Sequence, residues 1–148
     1  VNGGYVAASR TVIDYLRETS PFYIYSNPIT AGEAAAAARA VDILDSPLGA
    51  ALLKHLRAMT AKFEGGLTEL GFETIPGEHP VVPLMVRDTR RTTALVAHLR
   101  NNGIPATGLN FPVVPRGDEE IRFQVSADHT QADIDEALAV LAVFAASP

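Results

Sequence analysis

The 148-residue sequence contains no cysteine, which excludes disulfides, thiolate metal sites and a cysteine nucleophile. Lysine and arginine number 12 against 17 acidic residues, a net charge of −5 with no basic cluster. That balance argues against a nucleic-acid surface. No apolar run approaches the roughly 20 residues of a membrane-spanning helix, and no signal-peptide pattern opens the chain. We therefore expect a folded, cytoplasmic protein that binds neither nucleic acid nor membrane.

The start of the chain lacks an initiator methionine and is strand-like from its first residues. Gly3–Ala8 predicts a short strand, and Ser9 is a suitable N-cap for a helix to about Thr19. The aromatic segment Ser20–Asn27 is expected to be irregular, because Pro21 and Pro28 would break a helix there. A strand at the very first residues suggests a piece of a longer protein.

Two helices are expected in the middle of the chain. The alanine-rich segment Ala31–Leu44 favours one helix, and Ser46-Pro47 is typical of the start of another. The second helix carries a continuous apolar stripe that ends at Gly71. Helical spacing of this kind predicts core packing rather than a cofactor site. The stripe consists of Leu48, Leu52, Leu56, Met59, Phe63, Leu67 and Leu70.

The second half of the sequence alternates between strands and helices. Val81–Val86 predicts a strand, and Pro83 within it favours an edge position because proline lacks a ladder donor. Asp88 predicts the start of a helix, and Thr130-x-x-Asp133 resembles a capping box at the start of the last one. The expected elements are a helix over Thr89–Asn102, strands over Ile104–Leu109 and Ile121–Ser126, a stiff loop over Phe111–Gly117, and a helix after Thr130. This order indicates an α/β or α+β domain with a small sheet covered by helices.

Spacing alone identifies no active site. The four histidines are scattered and form no ligand pair, so they are expected to be solvated or hydrogen-bonded rather than metal-bound. The acidic run Asp118-Glu119-Glu120 is expected to be a solvated loop. No phosphate-binding loop, dinucleotide fingerprint or nucleophile elbow is present.

Two positions nevertheless admit a functional interpretation. Period-two alternation places Arg122 on the strand face opposite Ile121, where it is either an ordinary exposed arginine or a fork for a carboxylate. Tyr25-Ser26-Asn27-Pro28 precedes a helix, where hydroxyl, amide and backbone N–H groups form either an ordinary cap or a phosphate site.

These same segments resemble a known family, the α-oxoamine synthases, which are pyridoxal-phosphate (PLP) enzymes that join an amino acid to an acyl-CoA. The motifs are Gly3-Gly4-Tyr5, Tyr25-Ser26-Asn27, and above all two longer segments, 110–117 (NFPVVPRG) and 121–130 (IRFQVSADHT). The Pro-Val-Val-Pro loop and the Ser-Ala-x-His-Thr ending look most like the glycine C-acetyltransferase (2-amino-3-ketobutyrate CoA ligase) branch. The resemblance runs from Gly3 to about Phe144.

The resemblance implies the aspartate-aminotransferase type of fold, with a large cofactor-binding domain and a small C-terminal α/β domain. Residues 1–45 are then the end of the large domain, including its last strand, with connecting helices, and residues 46–148 are the small domain. It also implies a homodimer with active sites at the subunit interface.

The resemblance assigns roles to three residues. Arg122 matches the arginine that binds the α-carboxylate of the amino acid. Ser26 and Asn27 match a segment that contacts the cofactor phosphate of the neighbouring subunit. This chain departs from the family there, since Pro28-Ile29-Thr30 stands where small apolar residues are common.

The Schiff-base lysine of the family matches no residue here and is expected upstream of Val1. The two lysines of the chain, Lys54 and Lys62, lie on the long helix and off its apolar stripe. The segment is therefore expected to hold no catalytic residue and no metal, and to be inactive alone.

The implied activity is condensation of a small, glycine-like amino acid with an acyl-CoA. Two alternatives stay open. One is another branch of the family, namely 8-amino-7-oxononanoate synthase or serine palmitoyltransferase. The other is a non-catalytic module for dimerisation or ligand binding.

Overall fold

A computed structural model describes residues 4–146, which divide into two compact units between Ala50 and Ala51. The predicted domain boundary lies at residue 45, a few residues before this division. The described helices are α1 (Arg10–Thr19), α2 (Pro21–Tyr25), α3 (Ala31–Leu44), α4 (Pro47–Glu69), α5 (Thr89–Asn101) and α6 (Gln131–Ala145). The strands are β1 (Glu73–Thr74), β2 (Val81–Met85), β3 (Gly108–Leu109) and β4 (Glu120–Gln124).

The first unit is helical. Helix α3 begins with a capping box, in which the Thr30 hydroxyl accepts from the Glu33 backbone and the Glu33 carboxylate accepts from the Thr30 backbone. The segment 20–27, expected to be irregular, contains the short helix α2, because Pro21 occupies its first turn, where a missing N–H costs nothing. None of the helices α1, α2 and α3 buries a residue.

The strand predicted over Gly3–Ala8 is not found in residues 4–8, and Gly3 lies outside the described residues. These five residues are exposed and join no ladder. A strand needs a neighbour to receive its backbone N–H and C=O groups. The described residues offer no such partner to this segment.

Helix α4 supplies one wall of the second unit. Its apolar stripe is buried only in its later part, at Met59, Phe63 and Leu67, whereas Leu48 is 60% exposed. The helix ends in a Schellman motif, with Phe72 N–H donating to Leu67 O and Gly71 N–H donating to Thr68 O. Gly71 has φ +80°, as that motif requires, so the predicted stop is confirmed.

The sheet of the second unit is antiparallel, with the strand order β1-β2-β4-β3. Helices α4, α5 and α6 contribute core residues, as do the inward faces of β2 and β4. The buried apolar cluster comprises Met59, Phe63, Leu67, Val82, Leu84, Leu95, Leu99, Ile121, Val125, Ile134 and Leu141. The predicted fold class, a small sheet covered by helices, is confirmed.

The expectation that Val81–Val86 is an edge strand is wrong, because β2 lies between β1 and β4. Val125 N–H donates to Pro80 O and Val86 N–H donates to Glu119 O, so even-numbered residues of β2 bond to β4. Pro83 therefore turns its missing donor toward β1. Since β1 ends at Thr74, opposite Leu84, no ladder bond is lost there.

The local signals of the second half locate its helices well. The Asp88 carboxylate accepts from Arg91 N–H at the start of α5, and Thr130 and Asp133 form the predicted capping box of α6. The strand predicted over Ile104–Leu109 is reduced to β3. Ile104 N–H caps α5 by donating to Leu99 O, and Pro105 has no N–H to give.

Candidate functional site

Arg122 lies on β4, and the strand determines which way its side chain points. Ile121 is fully buried and Val125 is 5% exposed, so the odd-numbered residues face the core. The Arg122 side chain points to the other face and is 56% exposed. The predicted alternation is confirmed, and Pro83 of β2 is its cross-strand neighbour.

Glu120 pairs with Arg122 from the same face of the same strand. Arg122 Nε donates to Glu120 Oε1 at 2.7 Å, and Nη2 lies 2.6 Å from the same oxygen. The Glu120 side chain is only 7% exposed. The expectation that Asp118-Glu119-Glu120 is a solvated loop is therefore wrong for its last two members, since Glu119 is also buried, at 3%.

Glu119 fixes the turn that leads into β4. Its carboxylate accepts from Gly117 N–H at 2.8 Å and from the Thr89 hydroxyl at 3.0 Å. Hydrogen bonds from its own backbone N–H, from Thr89 and from Gly117 hold the pKa of Glu119 below its ordinary value, against the opposing effect of burial. The residue is therefore an ionised anchor at the start of the strand that carries Arg122.

Arg87 joins β1 to the same turn. Its guanidinium donates to both carboxylate oxygens of Glu73, to Asp118 Oδ1 at 2.9 Å and to Gly117 O at 3.1 Å. The hydrogen bond from Arg87 lowers the pKa of Glu73. Arg87 has φ +66°, a conformation uncommon for a residue with a side chain. Its contacts hold the backbone there and tie the sheet to the loop that precedes β4.

The loop 111–117 is internally braced. Val113 and Val114 both donate their N–H groups to Asn110 O, and the Arg116 guanidinium lies 4.7 Å from the centre of the Phe111 ring. The stiffness expected from its prolines therefore has further support from hydrogen bonds and a cation–π contact.

A cavity of about 650 Å³ lies beside β4. Residues 102–107, residues 122–125 and the first turns of α6 line it, so Arg122 belongs to its wall. Its lining contains apolar side chains such as Phe63 and Ile134 together with polar groups. The site is thus a guanidinium held by a buried carboxylate at the wall of an open cavity.

Ser26 and Asn27 lie in the first unit, after α2. Both are exposed, and neither side chain has a hydrogen-bond partner among the described residues. The hydroxyl and the amide are therefore uncommitted donors, which fits the contact with a phosphate that the resemblance implies. The next helix end is already satisfied, because the Thr30 and Glu33 capping box occupies it.

The remaining polar groups considered from the sequence have local partners. His55 Nε2 bonds to His129 O at 2.8 Å, and His98 Nε2 bonds to Val140 O at 2.9 Å. Lys62 pairs with Asp135 at 2.6 Å. Between residues 4 and 146, no three histidine or acidic side chains are grouped so that they could hold a metal ion, and no helix is long and apolar enough to cross a membrane.

Sequence reasoning did not identify Glu120 or Arg87 as parts of this site. The signal for Glu120 was present, since residues two apart on a strand share a face. No comparable signal existed for Arg87, because its partners lie 14 and 31 residues away.

Comparison with known proteins identifies the family to which this chain belongs. Residues 1–141 match the family model for aminotransferase class I and II. The 8-amino-7-oxononanoate synthase of Geobacter metallireducens is 40% identical over 142 residues, which cover 96% of this chain and 36% of that protein. The mitochondrial 2-amino-3-ketobutyrate coenzyme A ligase of Mus musculus is 31% identical over 134 residues, covering 90% and 32%.

Solved structures agree on the fold. The serine palmitoyltransferase of Sphingomonas wittichii superposes with a TM-score of 0.77 at 18% identity, covering 91% of this chain and 34% of that one. The chain spans about a third of the length of the proteins it matches. It belongs to the aminotransferase class I and II family, and the relatives it matches there are PLP-dependent α-oxoamine synthases.

Proposed function

We propose that this chain is the C-terminal part of a PLP-dependent acyltransferase that condenses a small amino acid with an acyl-CoA, and that Arg122 binds the α-carboxylate of the amino acid. The observation that carries the proposal is the state of the Arg122 guanidinium. One of its edges is held by the buried Glu120, while the side chain as a whole is more than half exposed at a cavity wall. A planar fork in this state suits a carboxylate.

The contribution of Arg122 is to bind and orient. PLP, when bound, supplies an electron sink for chemistry at the amino-acid α-carbon. Holding the carboxylate at one place fixes the direction of the bonds at that carbon. Arg122 moves no proton in this scheme, because its contribution is limited to binding and orienting the carboxylate.

The cofactor contact of this chain is assigned to Ser26 and Asn27. Their hydroxyl and amide groups are exposed and uncommitted, so they can donate to a phosphate without breaking another bond. In the homodimer that we propose, they serve the cofactor of the partner subunit. Replacing both by alanine in the intact enzyme is expected to weaken PLP binding by at least about a hundredfold, since each hydrogen bond to a charged group is worth about 1.5–3 kcal/mol and two are lost. Retention of PLP on dialysis measures this.

The decisive test of the proposal is Arg122→Ala in the intact enzyme that contains this chain. Loss of a charged hydrogen-bonding fork is expected to raise the KM for the amino acid by about ten- to a hundredfold, with the KM for acyl-CoA and the PLP content unchanged. Arg57→Ala is the matched control, because it removes an exposed arginine that has no described partner. An amino-acid KM that stays at the wild-type value refutes the role of Arg122.

Which condensation the intact enzyme performs is read from its product. The similarity to both 8-amino-7-oxononanoate synthase and 2-amino-3-ketobutyrate coenzyme A ligase leaves two substrate pairs to compare. The product 8-amino-7-oxononanoate has nine carbons. Alanine that loses its carboxyl group supplies two of them, and a seven-carbon dicarboxylic acyl thioester supplies the other seven. The second product is glycine joined to an acetyl group with its carboxyl kept. Mass spectrometry of reactions supplied with each pair distinguishes the two outcomes.

A further inference from the structure

The carboxylate of Glu120 has an unusual position for a charged group. Its side chain is 7% exposed, and Arg122 is its single hydrogen-bonding and ion-pairing partner within residues 4–146. Across the ladder it faces Met85, which is itself 8% exposed. A buried carboxylate without a partner is strongly unfavourable, so Glu120 depends on Arg122 for its charge compensation.

The contact also selects one edge of the guanidinium. Nε and Nη2 form the side-on fork of an arginine, and both reach the same oxygen, Glu120 Oε1. The end-on edge, made by Nη1 and the second hydrogen of Nη2, donates a hydrogen bond to none of the described residues. An incoming carboxylate therefore meets a pair of donors whose direction is already set.

From this arrangement we infer that Glu120 is a positioning residue for recognition of the amino-acid carboxylate, acting through Arg122; the inference rests on the proposed function. A free arginine side chain has several rotatable bonds, and ordering them on binding costs conformational entropy. Glu120 removes that cost in advance by holding the guanidinium before the substrate arrives. Because Glu120 is buried and Arg122 is exposed, the pair stays together while its outer edge binds.

The local sequence supports this assignment. Residues 120 and 122 are two apart on a strand, so their side chains are neighbours on one face whatever the surroundings. Glu119 and Arg87 fix the turn before β4 and thus the start of that face. The Glu120–Arg122 pair is therefore built into the strand rather than into a movable loop.

The test uses Glu120→Ala and Glu120→Gln in the intact enzyme. Glu120→Ala releases the guanidinium and is expected to raise the amino-acid KM by about tenfold, with kcat at saturating amino acid near the wild-type value. Glu120→Gln keeps a carbonyl oxygen that accepts from Nε, so the KM is expected to return to within about threefold of wild type. The Kd of glycine and of L-alanine, measured by calorimetry without acyl-CoA, should change in parallel.

Asp135→Asn is the matched control. It removes the carboxylate of another ion pair, with Lys62, that does not involve β4. Its KM and Kd are expected to equal those of the wild type. Glu120→Gln also guards against a folding artefact, because it keeps the shape of the side chain and leaves no buried charge behind.

The outcomes separate the two hypotheses. If Arg122→Ala raises the KM but Glu120→Ala does not, the proposed function stands and the positioning role is wrong. A lower KM in Glu120→Ala also overturns the inference, since Glu120 would then compete with the substrate. If neither variant changes the KM, the proposed role of Arg122 itself fails. In the variant that carries both Arg122→Ala and Glu120→Ala, the amino-acid KM should equal that of Arg122→Ala alone, because Glu120 has no guanidinium left to position.

Discussion

Two adjacent glycines in α4 offer a test of how closely that helix packs against α6. A Cβ added at Gly66 would meet the side chain of Leu138, at 2.7 Å from Cδ2 and 3.0 Å from Cγ. A Cβ added at Gly65 meets no atom within 4 Å. Both residues lie within the same helix, so replacing either one by alanine brings the same gain in helix propensity. The two variants differ only in the steric cost of the added methyl group.

The magnitudes follow from two opposing effects. Alanine in place of glycine within a helix stabilises by about 1 kcal/mol. Overpacking a filled site costs about 1–3 kcal/mol. Gly65→Ala is therefore expected to stabilise the protein by about 1 kcal/mol, and Gly66→Ala to destabilise it by up to about 2 kcal/mol.

Urea unfolding followed by circular dichroism measures both free energies of unfolding, and the difference between the variants isolates the contact with Leu138. Adding Leu138→Ala should remove most of the penalty at Gly66, because the obstructing methyl groups are gone. Equal stabilisation by the two alanine variants would refute the close approach of α4 and α6.

Three further predictions concern the second unit. Leu95→Ala empties a fully buried site and is expected to cost about 2–5 kcal/mol by the same unfolding assay. Asp88→Ala removes the bond to Arg91 N–H at the start of α5 and should cost about 1 kcal/mol. Hydrogen bonds to the carboxylates lower the pKa values of Glu119 and Asp133 in the folded protein. The stability that these two ionised side chains provide is therefore fully present above their ordinary pKa values, and it is lost as the pH falls through their lower pKa values in the folded state. The melting temperature should therefore drop as the pH falls below about 4.5, the ordinary pKa of a glutamate, and a flat profile would contradict this.

The features that the sequence predicted best depend on neighbouring residues alone. The starts of α5 and α6 follow from Asp88 and Thr130, whose side chains accept hydrogen bonds from N–H groups one turn away. Gly71 and Gly103 end their helices with φ near +80°. Such signals lie within a few residues of one another, so they are visible in the chain itself.

The features that the sequence missed depend on pairing between distant segments. Pro83 suggested an edge strand. The side of β2 to which its missing donor points is set by the register with β4, in which Pro83 pairs with Arg122. Glu119 and Glu120 have the composition of a solvated turn, yet the turn is folded against Thr89 and Arg122. Arg122 itself was located correctly on its strand, while its functional role came from the family resemblance and stays a prediction.

The absence of buried residues in helices α1–α3 bears on the cofactor contact proposed for Ser26 and Asn27. Short helices without a buried face gain little stability from their own sequence. In the homodimer proposed above, contacts with the partner subunit would order the segment that carries those two residues. Assembly and cofactor binding would then be linked equilibria, each favouring the other to the same degree. The apparent dissociation constant for PLP should therefore rise as the enzyme is diluted below its dimerisation range.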